Sequence, residues 1–256
     1  MGKIIALANQ KGGVGKTTTA VNLTSALGAR GKKTLLVDID PQGNSTSGLG
    51  LNKRDLKYST YELLVGQAKV SEVIKTSNFE NVDILPSNIS LAGAEIELVD
   101  MPERTHRLKM ALAPLRASYD YILIDCPPSL GIITLNALTA CDTLLVPIQC
   151  EYYALEGLSQ LMSTVRNVKR LYNPQIDLEG VLITMYDGRL NLTLQVVEEV
   201  KKYFPKKVYN TYIPRNIRLS EAPSFGLPVA YYDKSSRGAT SYDELAGEII
   251  SQNANI

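Results

Sequence analysis

The run Gln10-Lys-Gly-Gly-Val-Gly-Lys-Thr-Thr18 limits what this chain can fold into more than any other stretch. It follows the apolar segment Lys3-Ile-Ile-Ala-Leu-Ala-Asn9 and precedes a helical pattern, so the order is strand, loop, helix. Such a turn aims backbone N–H groups and a helix N-terminus at one point, which makes an anion site. Gly12, Gly13 and Gly15 let the backbone close around phosphate oxygens where a Cβ would collide. Lys16 brings positive charge to the outer phosphates, and the Thr17 hydroxyl is placed to ligate Mg²⁺. The common pattern G-x-x-x-x-G-K-[ST] requires glycine at position 10, where this chain has Gln10; a second lysine, Lys11, opens the loop instead. A glycine-rich turn that merely joins strand to helix has no need of GKT at this spacing.

Further along, apolar strands alternate with helical patterns. Thr34–Asp40, Val82–Leu85, Tyr121–Asp125, Thr143–Ile148, Leu178–Met185 and a short segment near Val208–Ile213 read as strands. Lys16–Arg30, Tyr61–Val65, Ser71–Lys75, Leu91–Val99, Glu103–Arg116, Leu155–Leu171, Leu192–Tyr203 and Tyr242–Ser251 read as helices. Pro41–Gly48 reads as a polar loop rich in hydroxyls, and Pro214–Pro228 as a second loop-rich stretch. The alternation predicts an α/β fold, a mostly parallel twisted sheet with helices on both faces. The carboxyl ends of such strands form the ligand crevice, where Gln10, Asp40 and Asp125 all fall.

Composition narrows the class. At 256 residues and 45% hydrophobic, the chain can bury a substantial core as one α/β domain. Cys126, Cys141 and Cys150 form no C-x-x-C pair, which argues against a disulfide framework or zinc site and fits a reducing cytoplasm. No window approaches the roughly 20 apolar residues of a spanning helix. Fourteen tyrosines, Tyr152 and Tyr153 among them, read as core and interface residues, and the single His106 receives no role.

Three carboxylates are placed for phosphate chemistry. Asp125 ends an apolar strand of the kind that holds the Mg²⁺ shell opposite a phosphate loop. Asp38 and Asp40 share a side if the strand stays extended that far; Asp40, nearer the loop, is the better candidate for orienting water or touching the metal shell. Asp38 is left to bond the phosphate-loop backbone or a metal-bound water. Lys11 is placed to turn outward and reach the phosphates of a neighbouring subunit, or else is a solvated surface lysine.

KGGVGKTT, LLVDIDPQGNSTSGLG and YDYILIDCPPSLG together resemble the deviant Walker A phosphate-loop ATPases of the ParA/MinD class. VPIQCEYYALEGLSQL and IPRNIRLSEAPSFGLPV resemble one branch of it, the Soj/ParA chromosome-partition ATPases. The resemblance runs along essentially the whole chain. It implies a single ATPase domain over residues 1–256 without an N-terminal helix-turn-helix extension. ATP and Mg²⁺ are the implied ligands, held by Lys11, Gly12, Gly13, Val14, Gly15, Lys16, Thr17 and Thr18. Thr17, Asp40 and Asp125 would form the metal site, and Lys11, Lys16 and Asp40 would act in hydrolysis. Glu151, Pro214 and Arg215 would lie near ribose or base. Two protomers would close around two ATP molecules, Lys11 reaching across and Gly12 permitting the approach. That homodimer would bind double-stranded DNA without sequence preference until a ParB/Spo0J-type partner stimulates hydrolysis. The replication initiator DnaA is a further implied partner, and a cytoplasmic, nucleoid-associated location follows.

The residues lend DNA binding some support of their own. Segment 160–218 holds ten Lys or Arg against five Asp or Glu, within a chain whose net charge is +1. Arg189 and Arg218 are the strongest candidates for DNA contacts, because each flanks a late strand. A MinD-like membrane-associated ATPase is the alternative, but Tyr242–Ile256 is acidic and has no Lys or Arg for an anionic surface. An iron-protein reading lacks a second suitable cysteine beside Cys126. A non-enzymatic scaffold would show no ATP turnover.

Overall fold

Period-two alternation along the strands decides the architecture of the computed structural model, which describes residues 1–151 and 154–254. In the first strand Ile4 and Ala6 pack into one apolar layer, while Ile5 and Leu7 pack into the other. Neither face meets water, as a mostly parallel sheet requires. Seven strands form among the described residues: β1 Lys3–Leu7, β2 Thr34–Asp38, β3 Lys75–Thr76, β4 Val82–Leu85, β5 Tyr121–Asp125, β6 Thr143–Gln149 and β7 Asp177–Thr184. Their order is β3-β4-β2-β5-β1-β6-β7, with β3 antiparallel to β4 and every other pair parallel.

Helices Lys16–Ala29 and Arg237–Gln252 cover one face through residues such as Leu23, Leu27, Leu245 and Ile249. Tyr242 of the closing helix hydrogen-bonds Thr19 at 3.1 Å, and the Asn22 amide oxygen accepts the Val229 N–H at 2.7 Å. Helices Thr60–Val65, Leu91–Glu97, Arg107–Leu112, Ile132–Ala140, Ala154–Leu171 and Asn191–Tyr203 cover the other face. The chain therefore leaves β1 toward one face and leaves its neighbours β5 and β6 toward the opposite one. That divergence opens a crevice at the carboxyl ends of the central strands.

Several boundaries differ from expectation, for physical reasons. Strand β2 stops at Asp38, so Asp40 lies in the loop beyond it. Pro41–Gly48 is not all loop: Asn44–Gly48 is helical, entered through Gly43 at φ +60°. Pro214–Pro228 also contains a short helix, Ile217–Glu221, whose start is capped by the Asn216 side chain. Helix Ile132–Ala140 gave no sequence signal because IITLNALTA is apolar on nearly every side and shows no 3.6-residue stripe. The expected helix Glu103–Arg116 shrinks to Arg107–Leu112 and tightens to a 3₁₀ turn at Ala113–Ala117, where Pro114 has no N–H to donate. Val208–Ile213 forms one isolated bridge, Val208 to Val181 of β7, rather than a strand, since the Asn210 and Thr211 N–H groups donate to the Glu248 carboxylate; a second bridge, Pro214 to Tyr186, lies beyond it. Pro147 is tolerated inside β6 because β1 has ended by then, and the Asn9 amide donates to its carbonyl instead. Tyr152 and Tyr153, expected in core or interface, lie outside the described residues.

Candidate functional site

The loop after β1 is shaped by two glycines in the left-handed region, Gly13 at φ +74° and Gly15 at φ +84°. At Gly15 a Cβ would meet nothing closer than 3.6 Å, so backbone conformation rather than space calls for glycine. Two side chains hold the loop, one just after β1 and one at the end of β7. The Asn9 amide oxygen accepts the Lys11 N–H at 3.0 Å, and the Thr184 hydroxyl at the end of β7 lies 2.9 Å from the Val14 carbonyl.

Its two lysines have opposite fates. Lys16, the first residue of its helix, is buried, and its Nζ donates to the Lys11 carbonyl at 3.1 Å across the loop. Burial pushes its ammonium below the usual lysine range, while Asp125, Cys126 and Asp40 pull it back up. Lys11 points the other way, onto the exposed rim, where its Nζ pairs with Glu151. A cation already half-desolvated inside an amide-lined loop favours an anion of high charge, such as a di- or triphosphate.

Behind the loop stand the carboxylates. Leu7, Asp125 and Asp38 are register partners across β1, β5 and β2. Both aspartates are fully buried. Burial, with the Asp125 charge beside it, lifts Asp38 to about 7 against the bonds it accepts from Thr46. Burial likewise lifts Asp125 to about 6, opposed by the Ser45 and Thr17 hydroxyls and by Lys16. Asp38 is saturated: it accepts from the Thr46 N–H at 2.8 Å, the Thr46 hydroxyl at 2.7 Å and the Asp40 N–H at 3.1 Å. It therefore braces the segment after β2 and does not bond the phosphate-loop backbone. Asp125 is different: Oδ2 accepts the Ser45 hydroxyl at 2.7 Å, and the buried Oδ1 has no partner among the described residues. An orphaned carboxylate oxygen beside Thr17 fits a hard cation that takes oxygen ligands. Asp40 accepts the Gln42 N–H at 2.9 Å through Oδ1 and lies almost buried within the same crevice.

A cavity of about 260 Å³ adjoins the loop, lined by Gly15, Thr18, Pro214, Arg215, Asn216 and Tyr242 among others. Pro214 and Arg215 are thus brought to the phosphate loop, whereas Glu151 lies on the Lys11 rim. A larger cavity, about 660 Å³, runs between helices Ala154–Leu171 and Asn191–Tyr203 and contains no phosphate-loop residue. Size alone does not mark the site.

The basic segment 160–218 does not form one patch. Arg189 and Arg218 sit at the loop end of the sheet, Arg189 paired with Asp187 and Arg218 with Glu221 and Asp233. Lys207 pairs with Asp177 at the opposite end of β7, a strand of eight residues and so about 26 Å long. Sequence reading also missed Ser45, Thr46 and Thr184. A cluster of hydroxyls in Asn44-Ser-Thr-Ser47 was the available signal.

A glycine-rich loop with an inward lysine, between a parallel β-strand and a helix and backed by a strand-end aspartate, defines a phosphate-loop nucleotide-binding protein of the α/β class. A family model described as an AAA domain matches residues 2–178. The sporulation initiation inhibitor protein Soj of Bacillus subtilis (strain 168) is 61% identical over 249 residues, 97% of this chain and 98% of that protein. The chromosome-partitioning ATPase Soj of Treponema pallidum (strain Nichols) is 51% identical over 252 residues, 98% of each. Among solved structures, cobyrinic acid a,c-diamide synthase from Mycobacterium smegmatis with bound ADP and magnesium superposes with a TM-score of 0.87 at 38% identity, covering 100% of this chain and 96% of that one. The chain belongs to the Soj/ParA family of chromosome-partitioning ATPases.

Proposed function

We propose that this chain is an Mg²⁺-dependent ATPase whose ATP-bound pair holds DNA without sequence preference. The observation that carries the reading is the divergence of its two lysines, one buried in the loop and one on the rim beside Glu151. In this reading the amides from Lys11 to Thr18, Gly12 and Val14 included, cradle the phosphates, and Lys16 neutralises the outer ones. Thr17 and the free oxygen of Asp125 would hold Mg²⁺, with Asp40 beside them. When bound, the ion supplies positive charge to the β- and γ-oxygens as negative charge spreads in the transition state. Asp40 orients water, and Pro214 with Arg215 contacts the nucleoside.

Lys11 would leave Glu151 and reach the γ-phosphate of a second copy, so that triphosphate joins the pair and hydrolysis frees it. Gly12 supports that approach: a Cβ there would meet nothing within 4 Å, so the rim around it is open. Pairing doubles the DNA contacts of Arg189 and Arg218, which raises affinity through added phosphate contacts. A ParB/Spo0J-type protein would trigger hydrolysis, DnaA would be a further partner, and the setting would be the cytoplasm and nucleoid. Against the MinD-like alternative, Leu245 and Ile249 of the closing helix are spent on the core, leaving little apolar face for a membrane. No described helix is long and apolar enough to cross one.

The test compares ATP turnover, nucleotide binding and light scattering for wild type, Lys11→Ala and Lys16→Ala. Lys16→Ala should lose nucleotide, while Lys11→Ala should keep nucleotide yet stay single and barely turn over. Normal pairing by Lys11→Ala in Mg·ATP would overturn the reading.

A further inference from the structure

We propose that the groove between helices Ala154–Leu171 and Asn191–Tyr203 docks an amphipathic helix of a partner protein, about four turns long and acidic in its first turn. Helix Ala154–Leu171 carries two stripes where a helix covering a sheet needs one. Ala154, Leu158, Leu161, Val165 and Val168 are buried against the sheet. Leu155, Ser159, Met162, Arg166 and Lys169 form the second stripe, at spacings of four, three, four and three that keep them on one face. Leu155 and Met162 are only half-buried there. This stripe is one wall of the cavity of about 660 Å³. Phe204 and Tyr203, the latter 70% exposed, stand opposite where the facing helix ends, and Ile176 and Leu178 make the floor.

Shape and charge select the occupant. At 1.5 Å per residue the wall from Leu155 to Lys169 runs about 21 Å, the reach of about four helical turns. A four-three spacing on one helix receives side chains at the same spacing on a second. The wall is apolar at its Leu155 end, beside Glu156, and basic at its Lys169 end. Asp177, the carboxylate lining that basic end, is taken by Lys207 at 3.1 Å, which leaves Arg166 and Lys169 in excess. Acidic side chains settle best in the first turn of a helix. The occupant therefore lies antiparallel to Ala154–Leu171, with its acidic turn on Arg166 and Lys169. A second copy of this chain fits less well. In an antiparallel pair of Ala154–Leu171 helices centred on Met162, Lys169 falls opposite Leu155, and only Met162 meets an apolar partner. The other long helices, Lys16–Ala29, Asn191–Tyr203 and Arg237–Gln252, have no acid in the first turn.

The probe is a fluorescein-labelled peptide of about eighteen residues, with leucines at alternating four- and three-residue spacing and glutamates in its first turn, titrated into the full chain by anisotropy. Binding should saturate, and the same peptide with lysines in place of the glutamates should bind at least about tenfold more weakly. Arg166→Glu combined with Lys169→Glu should invert that preference. Met162→Glu should weaken both peptides by about tenfold or more and leave nucleotide affinity at the wild-type value. Met162→Ala, with a smaller loss, gives the same reading should the glutamate variant not fold. Equal binding of the two peptides, a preference unmoved by the charge reversal, or no binding up to the solubility limit of the peptide overturns the proposal. A doubled mass of the nucleotide-free chain in light scattering that Met162→Glu abolishes overturns it in favour of a second copy. Loss of duplex DNA binding in the charge-reversed variant, with peptide binding unchanged, overturns it in favour of nucleic acid.

Discussion

Residue by residue, environment assigns roles that residue type leaves open. Lys11 and Lys16 are chemically identical, five positions apart, yet one is exposed on a carboxylate and the other buried in the loop. The motif spacing made Lys16 and Thr17 legible, because glycine and lysine at those positions have few other uses. The division of labour between Asp38 and Asp40 was less legible, since it depends on where β2 stops and on Thr46, whose N–H and hydroxyl both donate to Asp38. Ser45 was hidden among ordinary turn formers. Asp40→Ala should bind Mg·ATP within a few-fold of wild type and lose turnover by at least about a hundredfold, the lower scale of general acid–base help. A phosphate-release assay beside equilibrium nucleotide binding checks it, and near-normal turnover would remove Asp40 from the chemistry.

At the scale of elements, the strands were the most readable, and β4 and β5 lie where their apolar runs put them. What failed were elements whose signal is tertiary. Helix Ile132–Ala140 is buried on almost all sides and has no polar face to give a period. The short helix after β2 is entered through Gly43 in the left-handed region, and the one before Val229 starts at the Asn216 cap. One close backbone contact gives a clean test. A Cβ at Gly28, near the end of the phosphate-loop helix, would stand 2.3 Å from the Glu80 carbonyl and 2.8 Å from a Val82 methyl. Gly28→Ala should therefore cost about 1–3 kcal/mol by overpacking, read as a lower urea midpoint, with the metal-free nucleotide affinity of the folded fraction unchanged.

For the molecule as a whole, the paired carboxylates link stability to pH. Asp38 and Asp125 are lifted from 3.8 to about 7 and about 6, chiefly by burial. Both are charged in the unfolded chain at pH values where the fold keeps them protonated, so lowering the pH through this window favours the fold. Their contribution is complete below pH 3.8 and is lost as pH rises through 6 and 7. The nucleotide-free protein should accordingly melt lower at pH 8 than at pH 5.5 in scanning fluorimetry, and Mg·ADP should flatten that slope by neutralising the pair. A slope unchanged by Mg·ADP would place the ion elsewhere. Charge distribution was the least legible global property: a basic run in sequence is divided by the length of β7 between two ends of the sheet, and its loop-end arginines are held by acids. Arg189→Ala and Arg218→Ala should each weaken binding to unrelated duplexes alike and lower the salt slope by about one, with unstimulated turnover unchanged. The most direct measurement is duplex affinity by fluorescence anisotropy in Mg·ATP, in Mg·ADP and without nucleotide, with molar mass followed by light scattering. A doubled mass and tight binding in Mg·ATP alone is the predicted result; a single chain that holds duplex equally in all three conditions would contradict it.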